Sequence, residues 1–249
     1  MPIAFGAAGA VASTATTTLS VAYPAGVTAG QLIVLCICNK YPPNTPAAPG
    51  FFSPTNAQGT GGSGAAGIDT GTVYMTVFYR IATGVLSGNV NVVVSGNNVA
   101  IGRMFRYTNA TGNWEIAAAN GADNTAGTAW LTTMNINPGL TTGDLVLVAS
   151  GINTDLYTFS AQAPAEASTT FGATVERQDS GTTSGQDCAL VVTDTPVTAG
   201  TSAVAPTYAM TASGTAANNP AGSSVMLRIR EGAFTGGSDQ YGMMGFYGI

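Results

Sequence analysis

The chain contains no histidine and a single lysine, Lys40. Without histidine, neither a Ser-His-Asp nor a Cys-His nucleophile system can be built. A His-containing zinc site is excluded for the same reason. Charge of either sign is scarce, at 8% of residues, where an ordinary soluble domain has about 25%. Seven Lys plus Arg stand against twelve Asp plus Glu, for a net charge of -5 and a pI near 4.4. A nucleic-acid face is not expected, because phosphate neutralisation needs clustered Lys and Arg. No apolar run approaches the roughly 20 residues of a membrane helix. The opening Met1-Pro2-Ile3-Ala4-Phe5-Gly6 has neither the basic n-region nor the apolar h-region of a secretory signal. A protein made in a cytoplasm and not exported by the ordinary secretory route is the expectation.

Cysteine is also sparse: Cys36, Cys38 and Cys188. An odd number rules out a complete intramolecular disulfide set. Cys36 and Cys38 lie two apart in Leu32-Ile33-Val34-Leu35-Cys36-Ile37-Cys38, so in a strand they share one face and act as small buried hydrophobes. A thiolate metal site would need more ligands, and neither metal nor cofactor is expected.

What is present is apolar and small. The 249 residues include 33 glycines, are 45% hydrophobic and have a mean hydropathy of +0.24. Such a chain can offset its ordering entropy by burial, unlike a disordered one. With so little charge, its surface must be Thr, Ser, Asn, Gly and Ala. Free monomers rely on surface charge for solubility. A neutral exterior therefore suits a subunit packed against copies of itself or a partner, and the alternative is an extracellular β domain with a Thr-rich exterior.

Sustained 3.6-residue periodicity is missing. Short β-branched and aromatic runs recur instead between Gly, Pro, Asn and Thr clusters. They predict strands near Thr16-Val21, Gln31-Cys38, Val73-Ile81, Val90-Val94, Ala100-Tyr107, Trp130-Ile136, Asp144-Gly151, Phe171-Gln178, Ala189-Thr195, Ala203-Tyr208 and Ser223-Arg230. This is an all-β, two-sheet antiparallel sandwich over residues 1–231. Pro42 to Gly71, with its Gly61-Gly62-Ser63-Gly64 centre, reads as a long loop. No Lys-Ser/Thr follows those glycines, so they are not a phosphate loop.

A faint repeat runs through the chain. Gly26-Val27-Thr28-Ala29-Gly30-Gln31-Leu32-Ile33-Val34-Leu35 resembles Gly139-Leu140-Thr141-Thr142-Gly143-Asp144-Leu145-Val146-Leu147-Val148, and Met104-Phe105-Arg106-Tyr107 resembles Met226-Leu227-Arg228-Ile229. The period is far too long for a solenoid. Two halves of one sandwich, about 10–109 and 125–231, and convergent β patterning both account for it. After Glu231, residues 232–249 change character. A Gly236-Gly237-Ser238 hinge precedes glycines alternating with Tyr241, Met243, Met244, Phe246, Tyr247 and Ile249. These six are the candidate partner-binding residues, as anchors of an extended arm in a neighbouring subunit.

The order of patterns resembles a family of phage and prophage virion proteins. Its marks here are Pro24-Ala25-Gly26-Val27-Thr28-Ala29-Gly30-Gln31-Leu32-Ile33-Val34-Leu35, Val77-Phe78-Tyr79-Arg80-Ile81-Ala82-Thr83, Ala100-Ile101-Gly102-Arg103-Met104-Phe105-Arg106-Tyr107, Thr174-Val175-Glu176-Arg177 and Ser223-Ser224-Val225-Met226-Leu227-Arg228-Ile229-Arg230. Gln31 stands where the family usually has Asp, and Glu231 where Pro is common. The resemblance spans about residues 10 to 231. It implies a jelly-roll-like sandwich, a place in the virion and no catalytic motif.

Two groups invite a chemical reading. Glu176, Asp179, Asp187 and Asp194 surround one expected hairpin with Arg177. Paired carboxylates can hydrolyse glycosides or hold Ca²⁺, but exposed turn carboxylates account for them more simply. Trp114, Trp130, Tyr41, Phe51, Phe52 and Tyr157 could stack on a sugar, yet aromatics of this size usually serve the core. The expectation is a non-enzymatic, homo-oligomeric capsid decoration or cement protein bound to the major capsid protein or another virion protein, without nucleic acid or membrane. The alternative is a tail-fibre or adhesin-like carbohydrate-binding sandwich.

Overall fold

The computed structural model describes residues 3–40, 46–51, 58–62, 67–94, 99–125, 127–184, 186–214 and 220–232. Among them there is no helix, and seventeen strands pair antiparallel throughout. The first half holds β1 (Ala4–Ala8), β2 (Ala12–Thr14), β3 (Thr18–Ala22), β4 (Leu32–Lys40), β5 (Gln58–Gly61), β6 (Val73–Ile81), β7 (Asn89–Val93) and β8 (Ala100–Thr108). The second holds β9 (Trp114–Asp123), β10 (Ala129–Thr133), β11 (Leu145–Ile152), β12 (Thr158–Ala165), β13 (Thr169–Phe171), β14 (Val175–Thr182), β15 (Cys188–Gly200), β16 (Thr207–Ser213) and β17 (Gly222–Glu231).

Side chains alternate between the faces of a strand, and the central strands here are apolar on both. All nine residues of β4 are buried. Leu32, Val34, Cys36 and Cys38 enter one core, and Ile33, Leu35 and Ile37 another. In β11, Leu145, Leu147 and Ala149 join that same first core, while Val146 and Val148 enter a third. Two large sheets, β1-β8-β4-β6-β5 and β13-β15-β11-β17-β9, therefore pack face to face as the antiparallel sandwich expected from sequence. Each large sheet also carries a smaller one on its outer face, β3-β7 on the first and β10-β16-β12 on the second. The result is four stacked layers around three cores.

The two halves share one strand order. β8 lies between β1 and β4, with β6 beyond, and β17 lies between β9 and β11, with β15 beyond. In each half the chain crosses between a large and a small sheet. The register repeats as well: Leu32 sits opposite Ile81 and Tyr107, and Leu145 opposite Pro196 and Ile229. So does the turn before the central strand. Gly26 and Gly139 have φ of 70° and 74°, and Gly30 and Gly143 of 82° and 94°, the left-handed region where glycine carries no Cβ penalty. The Thr28 N–H donates to Gln31 Oε1 at 2.9 Å, as the Thr141 N–H does to Asp144 Oδ2 at 2.7 Å. Arg106 donates to the Gly26 carbonyl, as Arg228 does to that of Gly139.

The stretch read as a long loop holds a strand. The stretch 42–71 contains β5, which pairs with β6 and has Gly59 and Gly61 buried. A Cβ on Gly61 would overlap the Gly222 carbonyl of the facing sheet. Glycine stands there because two backbones approach too closely for a side chain.

Candidate functional site

The hairpin carboxylates singled out from sequence go to three different places. Asp194, on β15, points into the sandwich and is 3% exposed. Arg177 of β14 holds it with two hydrogen bonds, Nε to Oδ2 at 2.7 Å and Nη2 to Oδ1 at 3.0 Å. Tyr107 of the other large sheet donates its hydroxyl to Oδ2 at 3.1 Å. The Arg177 guanidinium lies 4.0 Å from the centre of the Phe5 ring. Glu176 and Asp179 turn toward the small outer sheet. Gln162 Nε2 donates to Glu176 Oε2 at 2.6 Å, and the Phe159 N–H to Asp179 Oδ2 at 2.8 Å. These bonds are structural, and of the four expected turn carboxylates only Glu176 is exposed.

Asp187 alone enters a site. It immediately precedes β15 and meets Asp69, from the β5–β6 connection, and Asp155, from the β11–β12 connection. One carboxylate oxygen of each lies within 4.8 Å of the other two. Asp69 has φ of 58°, and Thr154 Oγ1 donates to its Oδ1 at 2.6 Å. Gly181 makes room, since a Cβ there would overlap that of Asp155. Beside the group lies Lys40, the last residue of β4, fully buried, with Nζ donating to the Gly67 carbonyl at 3.0 Å.

Burial raises the Asp187 carboxyl above its ordinary value, and the charges of Asp155 and Asp69 add to the rise, with Lys40 opposing. Burial lowers Lys40, against the pull of Cys188, Cys38, Asp187 and Asp69. Two oxygens bound to one Ca²⁺ at about 2.4 Å each can be at most about 4.8 Å apart, so the three Asp residues could hold a hard cation, and without one Asp187 favours a retained proton. Asp155 and Asp187 are within hydrogen-bonding reach of each other, closer than the roughly 5 Å or more between the carboxyl groups of a glycosidase pair. Sequence reasoning found Asp187 but not Asp69 or Asp155. The one signal was Lys40, a lone lysine ending a strand that is apolar from Leu32 to Cys38.

The aromatic residues do not form one surface. Trp130 is 2% exposed and packs edge-on to Phe159 at 6.5 Å in the core of the second half. Trp114 is half-buried and donates its indole N–H to the Gly30 carbonyl at 2.7 Å. Tyr157 is buried and Phe51 lies under Arg80. Tyr41 and Phe52 lie outside the described residues, as do Tyr241, Met243, Met244, Phe246, Tyr247 and Ile249.

Every cation is used inside the molecule. Arg80 donates to Tyr23 Oη at 3.0 Å. Arg103 donates to the carbonyls of Gly9 and Arg177 and to Gln178. Arg230 grips Asp144 through Nε at 2.7 Å and Nη2 at 2.8 Å. With Arg106, Arg177, Arg228 and Lys40 already placed, none of the seven is exposed. No family model, curated protein or solved structure matches the chain.

Proposed function

We propose that this chain is a structural component of a bacteriophage virion, a capsid decoration or cement subunit held by contact area rather than by charge. The observation that carries the reading is the outer face of the β10-β16-β12 sheet. It presents Ala129, Leu131 and Thr133, then Thr207, Ala209, Thr211 and Ser213, then Thr158, Ser160, Ala163 and Ala165, with no charge among them. The opposite outer sheet shows Thr18, Ser20, Asn89, Asn91 and Val93, equally uncharged. Broad neutral β faces at both ends of the stack, together with internally committed cations, suit a subunit packed between others. The resemblance to virion proteins points the same way. The neutral, aromatic composition of residues 241–249 fits an anchor that salt would not release.

Copy counting by mass spectrometry and immunogold imaging of purified particles test the proposal. Decoration requires many copies distributed over the shell, and a few copies at the tail would favour the carbohydrate-binding alternative. Absence from purified particles overturns both virion readings. Deleting residues 236–249 is expected to leave a folded sandwich with sharply lower retention on particles, at low and high salt alike.

A further inference from the structure

The two halves match closely around their central strands, and one place breaks the match. In the second half Arg230 lies across the turn that precedes β11. Its Nη2 donates to Gly139 O at 2.9 Å, Thr141 Oγ1 at 2.7 Å and Asp144 Oδ2 at 2.8 Å, and its Nε to Asp144 Oδ1 at 2.7 Å. By register, Tyr107 corresponds to Ile229, so Thr108 corresponds to Arg230. Gly26, Thr28 and Gln31 correspond to Gly139, Thr141 and Asp144. The first half therefore keeps Thr28 and Gln31 at the positions of Thr141 and Asp144 and lacks the guanidinium, while its Gly26 carbonyl is bonded to Arg106. A cleft of about 340 Å³ lies there, bounded by residues 28–31 and 108–112.

We propose that this cleft receives an arginine side chain from a partner protein, bound as Arg230 is bound in the other half. Its acceptors are neutral because Gln31 replaces Asp144. A carboxylate stands next to the lining residue Thr111, however: Glu231 Oε1 accepts the Thr111 N–H at 2.9 Å. Among the described residues Glu231 has no ion-pair partner. The net charge of -5 also favours an incoming cation. A second copy of this chain is not the source, because all six of its arginines are bonded internally and none is exposed. Guanidinium suits the cradle better than ammonium, since a planar fork reaches several acceptors at once. The assignment is independent of the virion reading.

The test is an amide-resolved NMR titration of the full chain with N-acetyl-arginine amide. Saturable shifts are expected at Thr28, Gly30, Gln31 and Thr111, with at least tenfold weaker binding of the uncharged N-acetyl-citrulline amide. T108R restores the arginine of the second half and should abolish the shifts. T108M fills the cleft without a guanidinium and serves the same purpose if T108R does not fold. Shifts that persist unchanged in the folded variant overturn the proposal. So does the absence of saturable shifts, equal binding of citrulline, or a response to methyl glucoside but not to arginine.

Discussion

Asp194 bonds two elements from opposite sides of the central core, Arg177 on its own sheet and Tyr107 on the facing one. Removing one partner of a buried pair leaves an uncompensated charge, at a cost of about 3 kcal/mol. Asp194→Ala should therefore lower the unfolding free energy by roughly 2–4 kcal/mol, with Asp194→Asn losing less, as measured by urea denaturation. Asp187 should behave in the opposite way. Its carboxyl is raised above the ordinary 3.8 in the folded state, so the native chain holds more protons than the unfolded chain just above that pH. Stability then falls as pH rises through the window between the two values. Asp187→Asn removes this contribution and should be at least as stable as the parent at pH 7, by under about 1 kcal/mol. The difference should vanish below the ordinary value. Asp179, also raised by burial, will retain its share of the slope in both proteins. Of these two sites the Arg177–Asp194 pair was within reach of the sequence, because one hairpin brings them together. Asp69 and Asp155 were not: each sits in a different connection, Asp155 reaching Asp187 through β11–β15 pairing and Asp69 only through the packing of the two halves.

The strands that sequence patterns missed are edges, whereas the edges β3, β7 and β10 were found because each alternates buried apolar with exposed residues. β1, β5, β9 and β12 each end a sheet or lie outside the path through it. β9 reads Trp-Glu-Ile-Ala-Ala-Ala-Asn-Gly-Ala-Asp, with little of the β-branched content that marks a strand. β12 contains Pro164, which removes a ladder donor and weakens the strand pattern. β5 reads Gln-Gly-Thr-Gly and carries no propensity signal at all. Its glycines instead record how closely the two large sheets meet. Gly61→Ala should force those backbones apart and cost at least about 2 kcal/mol, read as a lower melting temperature. Gly84, with nothing within 4 Å of an added Cβ, is the control and should tolerate alanine with little change.

At the scale of the molecule, the large sheets hold their facing side chains in common. Leu32, Val34 and Phe105 from one half pack with Leu147, Leu190 and Leu227 from the other. Neither half can bury that face alone, so residues 1–110 expressed by themselves should be insoluble or molten. Co-expression with 111–249, cut at exposed Ala110, should recover a soluble complex with the stability profile of the intact chain. Size-exclusion chromatography of the two-fragment product decides this. Recovery of a stable, monomeric first half by itself would show that the halves are independent domains. The patterning of two apolar faces per strand was legible in the sequence, as in the unbroken Leu32–Cys38 run, but the number of layers was not, because a run apolar on both faces does not say what covers each face. The placement of the cations has a last consequence. Lys40, Arg80, Arg103, Arg106, Arg177, Arg228 and Arg230 all lie within strands, and none falls in a connection. A trypsin-like protease cuts after these residues and needs the chain locally extended in its own cleft, which ladder pairing denies it. The described strands thus hold every such cutting position in a paired ladder, and cleavage should be slow until the chain unfolds.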